Sequence, residues 1–576
     1  MKVYDAEHIR NVALVGHSGS GKTQLASAIL FDADAVTRLG RVDDGTTVTD
    51  FDEEEIARKH TLSAATAYAE WKKTKINLID TPGMANFFTD TRSAMRVADA
   101  AVVVVDAVHG SEVITEKVWQ AAAECDLPCL VVLNRLDRER ASVPRALESL
   151  QSAFGRTVVP IQLPLGAEQD FRGVIDLVAM KAITFDDDGR TATVGDVPAE
   201  LADEAGAARE ALIELVAEAD DGLMEQFFEA GTLTQEELEA GLRTATLGRH
   251  VFPVVCTSAT SNLGIQPLLD AILSYVPSPE QRALPVVDAQ GAAASYDPAQ
   301  TTPTAVVWKT IADPFAGRIT LFRVASGALK ADSAVHNLTT DVDERVGSVA
   351  VLQGKTQETV AEIRAGDLGA VAKLKDTRTG DTLAGKDTAW RFAPFQFTEP
   401  VLSYAIVPKS RGDEEKISTA LHRLAEEDPT IRYARDPQTA QLLLSGQGQL
   451  HIEVTVAKLK RRFGVEVSLT LPRIPYRETI RAETEAHGRH KKQTGGHGQF
   501  GDCKIRVKPL ERGEDFQFID EVFGGSIPRG FIPAIEKGIQ DARTRGYLAG
   551  YPMVDFSVTL YDGSFHPVDS NEMSFR

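Results

Sequence analysis

The sequence predicts a multidomain α/β and α+β chain: a mostly parallel sheet built of βαβ units with an inserted subdomain, a small β-barrel, a compact ferredoxin-like domain and a further α+β domain. Three patterns predict it. Between Asn11 and about Tyr275, short β-branched runs (VALVG, INLID, AVVVVD, CLVVLN, VFPVVCTSA) alternate with helical stretches, as βαβ units do. From Val306 to about Arg391, short Thr/Val-rich strands separated by Gly turns carry no strong helix, as in a barrel. From Pro400 to Leu471, three strand-like runs (VLSYAIVP, QLLLSG, VEVSLTL) surround two amphipathic helices (EEKISTALHRLAEEDP, GQLHIEVTVAKLKRRFG). The length of 576 residues exceeds what one hydrophobic core supports and converts to about four domains.

The connecting stretches follow in order. Between Phe154 and Arg249 an Ala/Glu-rich segment with helical apolar spacing interrupts the βα series, so an inserted subdomain is expected there. Pro277 to Pro303 has the Pro, Ala and Gln content of a linker, and a domain boundary is placed in it. Another domain opens at Tyr476. At the far end, Asp569-Ser-Asn-Glu572 reads as a capping box opening a helix that Arg576 cuts after barely one turn, so the last domain is expected to be incomplete.

Composition excludes several classes. With 43% hydrophobic and 25% charged residues the chain is globular rather than disordered. The start has no basic region leading into an apolar stretch, and the run AAVVVV is too short to span a bilayer, so a cytoplasmic protein is expected. Cys125, Cys129, Cys256 and Cys503 are too few and scattered for a disulfide framework or a thiolate metal site. A net charge of -21 argues against non-specific coating of nucleic acid. A local exception is Arg481 to Lys508, where seven cations face only Glu483, Glu485 and Asp502.

The chemistry lies in the first domain. Gly16-His17-Ser18-Gly19-Ser20-Gly21-Lys22-Thr23 fits the P-loop spacing between a strand and a helix. Backbone N–H groups there ring phosphates, Lys22 neutralises the β and γ oxygens, and Thr23 ligates Mg²⁺. Asp80, closing the strand INLID, can hold the same ion through water, and the Gly83 N–H can sense the terminal phosphate. Asn134-Arg135-Leu136-Asp137 follows a buried strand and resembles the guanine-reading N-K-x-D. A carboxylate at Asp137 accepts from guanine N1–H and N2–H₂, which adenine lacks. Arg135 replaces the usual Lys and can still stack on the base. Ser258 and Ala259, after VFPVVCT, offer backbone contact to the guanine oxygen.

With these motifs the chain resembles elongation factor G, and more closely its divergent type 2 form, over its whole length. Similar stretches continue in KTIADPFAGRITLFRVASG, LSGQGQLHIEV, GGHGQFGDCKI and LAGYPMVDFSVTLYDGSFHPVDSNE. The resemblance implies a P-loop GTPase domain at 1–288 with an insert at about 155–250, a β-barrel at 289–395, a ferredoxin-like domain at 396–475, and at 476–576 an incomplete domain reaching the ribosome's decoding centre. It implies GTP/GDP and Mg²⁺ as cofactors, ribosome-dependent GTP hydrolysis with a translocation-type step, and a monomer. A final domain of about 100 residues is expected to be absent.

Departures matter as much. The family's switch I motif R-G-I-T-I aligns with Arg58 to Leu62, so Thr61 takes the role of Mg²⁺ ligand and His60 stands where an apolar Ile is usual. Ser18-Gly19 replaces the family's Val-Asp. After D-T-P-G the family's translocases carry a histidine that orients the attacking water; here it is Met84, whose thioether accepts weakly and cannot donate. The exchange of types suggests catalytic roles for His60 as orienter, Met84 as apolar wall and Lys22 as charge neutraliser; the other reading is that His60 is merely exposed on a mobile switch I and that hydrolysis is largely lost. An alternative is a GTP-dependent ribosome-binding module with weak hydrolysis, serving rescue, recycling or drug protection. The loops Gly495 to Gly501 and Ser564 to Val568, with His566, match those the family presents to messenger and transfer RNA, and the flank RHKK suits phosphate.

Overall fold

The structure is a computed structural model that describes residues 3–186, 188–313, 317–493, 495–496 and 498–576, the Arg411 side chain apart. It divides into two compact units, residues 1–434 with 443–470, and residues 435–442 with 471–576.

In the first unit, strands β1 (Ile9–Val15), β2 (Ala65–Trp71), β3 (Thr74–Asp80), β4 (Ala100–Asp106), β5 (Cys129–Asn134) and β6 (Val158–Pro160) appear in chain order. The insert contributes β7 (Gln162–Leu165), β8 (Gly173–Asp176), β9 (Lys181–Phe185) and β10 (Ala192–Asp196), and β11 (Phe252–Cys256) follows it. The main sheet runs β2-β3-β1-β4-β5-β11-β6. All its pairings are parallel except β2 with β3. Every residue of β1, β3, β4 and β5 is buried; β4 and β5 accordingly read as near-continuous apolar runs, while β1 and β3 also bury polar side chains. Helices α1 (Lys22–Asp32), α2 (Glu53–Arg58), α3 (Phe88–Val97), α4 (Val113–Glu124), α5 (Val143–Phe154) and α9 (Ile265–Tyr275) belong to this domain, with α6 (Ala202–Glu218), α7 (Asp221–Ala230) and α8 (Gln235–Leu247) in the insert.

The insert is only half helical. Before its three helices it forms a four-stranded sheet, β10-β9-β8-β7, which the Ala/Glu-rich composition of the second half did not announce. The strands are four or five residues long, and β10 is exposed throughout, so it carries no apolar alternation to read. The stretch Pro277 to Pro303 is likewise more than a linker: Val286–Asp288 and Ala293–Ala294 form a hairpin that pairs with Trp390–Phe392. Its turn is closed by Asp288, whose Oδ1 accepts from Gln290 and Ala292 N–H at 2.9 Å each.

The barrel region builds an eight-stranded sheet in which neighbouring strands pair antiparallel. It packs on the first domain through Ala64, Ile79, Ala94 and Val97 against Trp308, Leu321 and Leu368. A buried polar network reinforces this junction. Lys75 Nζ, on β3, donates to both oxygens of Asp367 at 2.8 Å, and Asn77 Nδ2 donates to Asp367 Oδ1 and Asn11 Oδ1 at 2.8 Å. Asn11 Nδ2 donates to Asp99 Oδ2 at 2.7 Å, and Arg323 pairs with Asp99 at 2.6 Å.

The ferredoxin-like domain has α10 (Glu414–Glu427), α11 (Gln449–Phe463) and strands Leu402–Pro408, Arg432–Arg435, Leu442–Gly446 and Val467–Thr470. In sequence order these strands lie 2-3-1-4 across the sheet, the ferredoxin-like arrangement. The strand Arg432–Arg435 is polar and largely exposed, and the sequence pattern did not show it.

In the second unit, strands Thr484–Lys492, Gln499–Pro509, Phe556–Ser564 and Phe516–Asp520 form one sheet in that order, with a helix at Ile532–Arg543. The short terminal helix is Glu572–Phe575, and its N-cap is Asn571, whose side chain accepts from Ser574 N–H at 2.9 Å. Asp569, expected to cap it, instead accepts from Gly498 N–H at 2.9 Å. All four cysteines are free, and burial pushes the Cys129 and Cys256 thiols up to about 12. Among the described residues no helix is long and apolar enough to cross a membrane.

Candidate functional site

The site forms at the carboxyl ends of β1, β3, β5 and β11, where a parallel sheet leaves its crevice. The P-loop joins β1 to α1. Lys22, 5% exposed, donates from Nζ to Gly16 O at 3.0 Å and His17 O at 2.8 Å, spanning the loop, and Ser20 Oγ donates to His17 O at 2.9 Å. Burial lowers the Lys22 pKa to about 8, despite Asp80 and Asp50 nearby. Gly21, at φ +92°, leaves room for Asn134: a Cβ there would lie 2.4 Å from Asn134 Nδ2. A Cβ on Gly83 would lie 2.5 Å from Lys22 Nζ and 2.6 Å from Ser18 N, so the loop after β3 approaches the P-loop backbone as closely as only glycine permits.

Thr23 and Thr61, 38 positions apart, meet with hydroxyl oxygens 2.7 Å apart. At that separation the two hydroxyls share a hydrogen bond, and the two hard oxygens that meet here are of the type that would hold Mg²⁺. Asp80 stands behind them, fully buried; its Oδ2 accepts from Thr49 Oγ1 at 2.7 Å, and its Oδ1 lacks a partner among the described residues. That orphaned oxygen and the hard-oxygen donor set fit the ion expected from sequence. Asp50, which the sequence reading missed, accepts from Thr61 Oγ1 at 2.8 Å. Burial, then repulsion from Asp80, raises the Asp50 pKa to about 7, and burial followed by Asp50 raises Glu55 to about 8. A divalent cation would relieve this crowding of buried carboxylates.

Glu55 was also missed. It completes a capping box with Asp52 at the start of α2, and its Oε1 accepts from Leu62 and Ser63 N–H at 3.0 Å each, fixing the backbone just after Thr61. The D-x-x-E spacing of Asp52 and Glu55 was a readable sign of this, hidden in an acidic run that reads as a solvated face.

The loops expected to hold the base follow β5 and β11. Asn134 Nδ2 donates to Ser20 O at 2.9 Å, and its Oδ1 accepts from Thr257 Oγ1 at 3.2 Å and Ala259 N–H at 3.0 Å, tying P-loop to both base-side loops. Ser258 N–H donates to Leu263 O at 2.9 Å, so a contact from Ala259 to a guanine oxygen would be shared with Asn134. Asp137 Oδ2 accepts from Ser261 Oγ at 3.2 Å, while its Oδ1 is buried without a partner among the described residues. Arg135, in the left-handed region at φ +66°, is held by Asp106 at 3.0 Å.

His60 is exposed; its backbone N–H donates to Glu55 O at 3.2 Å, and its ring has no hydrogen bond among the described residues. Met84 packs with Leu62, Phe87, Leu450 and Val454 in an apolar cluster that joins the nucleotide loops to α11. The structure therefore places Met84, but not His60, in a defined environment beside Thr61.

In the second unit, His566 Nδ1 accepts from Val568 and Asp569 N–H at 3.3 and 3.2 Å, and Phe500 N–H donates to Asp569 O at 2.9 Å, bringing the two tip loops together. His497, in the Gly495 to Gly501 loop, and Thr494, beside it, lie outside the described residues. The positive stretch is narrower than its composition: Lys504 pairs with Asp562 at 2.8 Å, Arg506 with Glu485 at 3.1 Å and Lys508 with Glu483 at 3.4 Å. Lys491 and Lys492 remain exposed and without an ion pair among the described residues.

Four family models match in series along the chain: "Elongation factor Tu GTP binding domain" over residues 7–278, "Elongation factor G domain 2" over 302–386, "Elongation Factor G, domain III" over 397–471 and "Elongation factor G, domain IV" over 472–576. A crystal structure of a protein from Thermus thermophilus superposes with a TM-score of 0.85 at 35% identity, covering 99% of this chain and 83% of that one. The chain is thus a guanine-nucleotide-binding GTPase of translation, ribosome-associated, and belongs to the elongation factor G family.

Proposed function

We propose that this chain hydrolyses GTP on the ribosome in a translocation-type step, as a type 2 elongation factor G acting as a cytoplasmic monomer. The observation that carries the reading is the Thr23–Thr61 pair, 2.7 Å apart, because it unites the P-loop with a distant loop where a terminal phosphate and its cation would sit. Thr23, Thr61 and Asp80 would hold Mg²⁺, which when bound neutralises charge developing on the phosphate oxygens. Lys22 and the P-loop amides from Gly16 to Gly21 bind the phosphates, Gly83 meets the terminal one, and Asn134, Arg135, Asp137, Ser258 and Ala259 enclose the base. The parts divide at 1–288, 289–395, 396–475 and 476–576, the last reaching messenger and transfer RNA through Gly495 to Gly501 and His566.

Met84 favours a second reading, a GTP-gated ribosome-binding module with weak hydrolysis used in rescue, recycling or drug protection. Its thioether and the apolar cluster around it offer the attacking water nothing to orient it. His60 is the remaining candidate orienter, acting from the Thr61 side with Met84 as the apolar wall. The expected result for His60→Ala is a loss of about a hundredfold in single-turnover hydrolysis on ribosomes, with little change in GTP affinity. An unchanged rate removes His60 from the chemistry. A wild-type rate that ribosomes do not raise supports the second reading.

A further inference from the structure

Helix α2 and its N-cap open with four consecutive carboxylates, Asp52, Glu53, Glu54 and Glu55. Acids suit the start of a helix and bases its end, so Lys460, Arg461 and Arg462 in the last turn of α11 obey the same dipole rule. The structure sets one against the other. Arg461 reaches Glu54 at 3.1 Å and Glu53 at 3.4 Å. Arg462 bonds Asp52 through one amino group and Glu427, on α10, through the other at 2.7 Å, and Lys458 also pairs with Glu427 at 2.7 Å. Burial would raise the Glu427 pKa, but Lys458 and Arg462 outweigh it and hold the carboxyl at about 2. Arg462 is thus anchored on a fixed anion of its own domain and extends its second hand to the nucleotide domain.

From Asp52 the path to the phosphate site is short. Asp52 N–H donates to Glu55 Oε2 at 3.2 Å, and Glu55 Oε1 holds Leu62 and Ser63 N–H at 3.0 Å each. Thr61 is the next residue back, with its hydroxyl 2.7 Å from that of Thr23. No bond of this path reaches the base pocket or the P-loop backbone.

We propose that Arg462 is a positioning residue for the nucleotide site, setting Thr61 against Thr23 through Asp52 and Glu55, so that the ferredoxin-like domain determines how strongly GTP is preferred over GDP. The inference rests on the reading of Thr61 as a contact of the GTP-bound site. GDP, lacking the terminal phosphate, does not use Thr61 and is indifferent to Arg462. A lysine cannot bridge two carboxylates as the guanidinium fork does.

The test uses the full chain with fluorescent GDP and a fluorescent non-hydrolysable imido analogue of GTP, each titrated with Mg²⁺. Arg462→Ala is expected to weaken the GTP analogue about tenfold, the worth of one charge-assisted hydrogen bond, and to leave GDP within about twofold. Arg462→Lys is expected to recover part of the loss. Asp52→Asn, which keeps the cap but not the charge, should weaken the analogue similarly, and the double variant should be no worse than either single one. Equal losses for both nucleotides assign Arg462 a general structural role and overturn the proposal, as do additive losses or no loss. If the wild type itself shows no Mg²⁺-dependent preference for the analogue, the reading of Thr61 fails, and the proposal falls with it.

Discussion

Asp367→Ala is expected to destabilise the first unit by about 3–5 kcal/mol, because it strands a charged Lys75 that has no exposed surface and, among the described residues, no other carboxylate in bonding range. The network offers no substitute: Asn77 also loses an acceptor, and Asp99 is engaged with Arg323 and Asn11. The measurement is the first transition in a denaturant or thermal scan, since a multidomain chain need not unfold in one step. Lys75→Met with Asp367→Leu, which removes both charges, should restore most of the stability. A shift below about 1 kcal/mol for Asp367→Ala would show that water reaches this junction and that the domains are joined less firmly than the network implies.

Asp137→Asn is expected to reverse nucleotide preference rather than merely weaken binding. The carboxylate oxygen that lacks a partner among the described residues is the acceptor proposed for guanine N1–H and N2–H₂. An amide there offers one acceptor and one donor set, losing guanine but matching the carbonyl of xanthine. With each charge-assisted hydrogen bond worth about 1.5–3 kcal/mol, the ratio of GTP to xanthosine triphosphate affinity should fall by about 10³-fold. Competition against labelled GDP reads this directly. Displacement of GDP from the wild type by ATP as well as by GTP would refute the guanine pocket.

The loops of the candidate nucleotide site were legible where the chemistry needs neighbours in sequence. Gly16 to Thr23, Asp80 to Gly83 and Asn134 to Asp137 each follow one strand, and a turn proposed to cradle part of a nucleotide has to keep its residues together in sequence. Asp50 and Glu55 were not legible, since an acidic stretch is ordinarily a solvated face and only the folded chain turns these carboxylates inward to 4% and 2% exposure. Contacts between domains were invisible for a simpler reason: Asp52 and Arg462 lie 410 positions apart, Lys75 and Asp367 lie 292 apart, and no local pattern links them. The missed strands of the insert are four or five residues long, too short to show a period, and β10 and Arg432–Arg435 are also largely exposed, so burial imposed no alternation on those two. The cap at the far end was read too early in the chain because Asp569 satisfies the rule in sequence, while in the fold it serves the neighbouring loop and leaves Asn571 to cap.

Guanine nucleotide sensed at Thr61 should govern association with the ribosome, if the Thr23–Thr61 pair marks the GTP-bound site. Co-sedimentation of the full chain with ribosomes reads this in three arms: a non-hydrolysable GTP analogue, GDP and a non-hydrolysable ATP analogue. The expected result is that the GTP analogue retains the chain on ribosomes while GDP and the ATP analogue do not. Equal retention with all three nucleotides, or none with any, would contradict it.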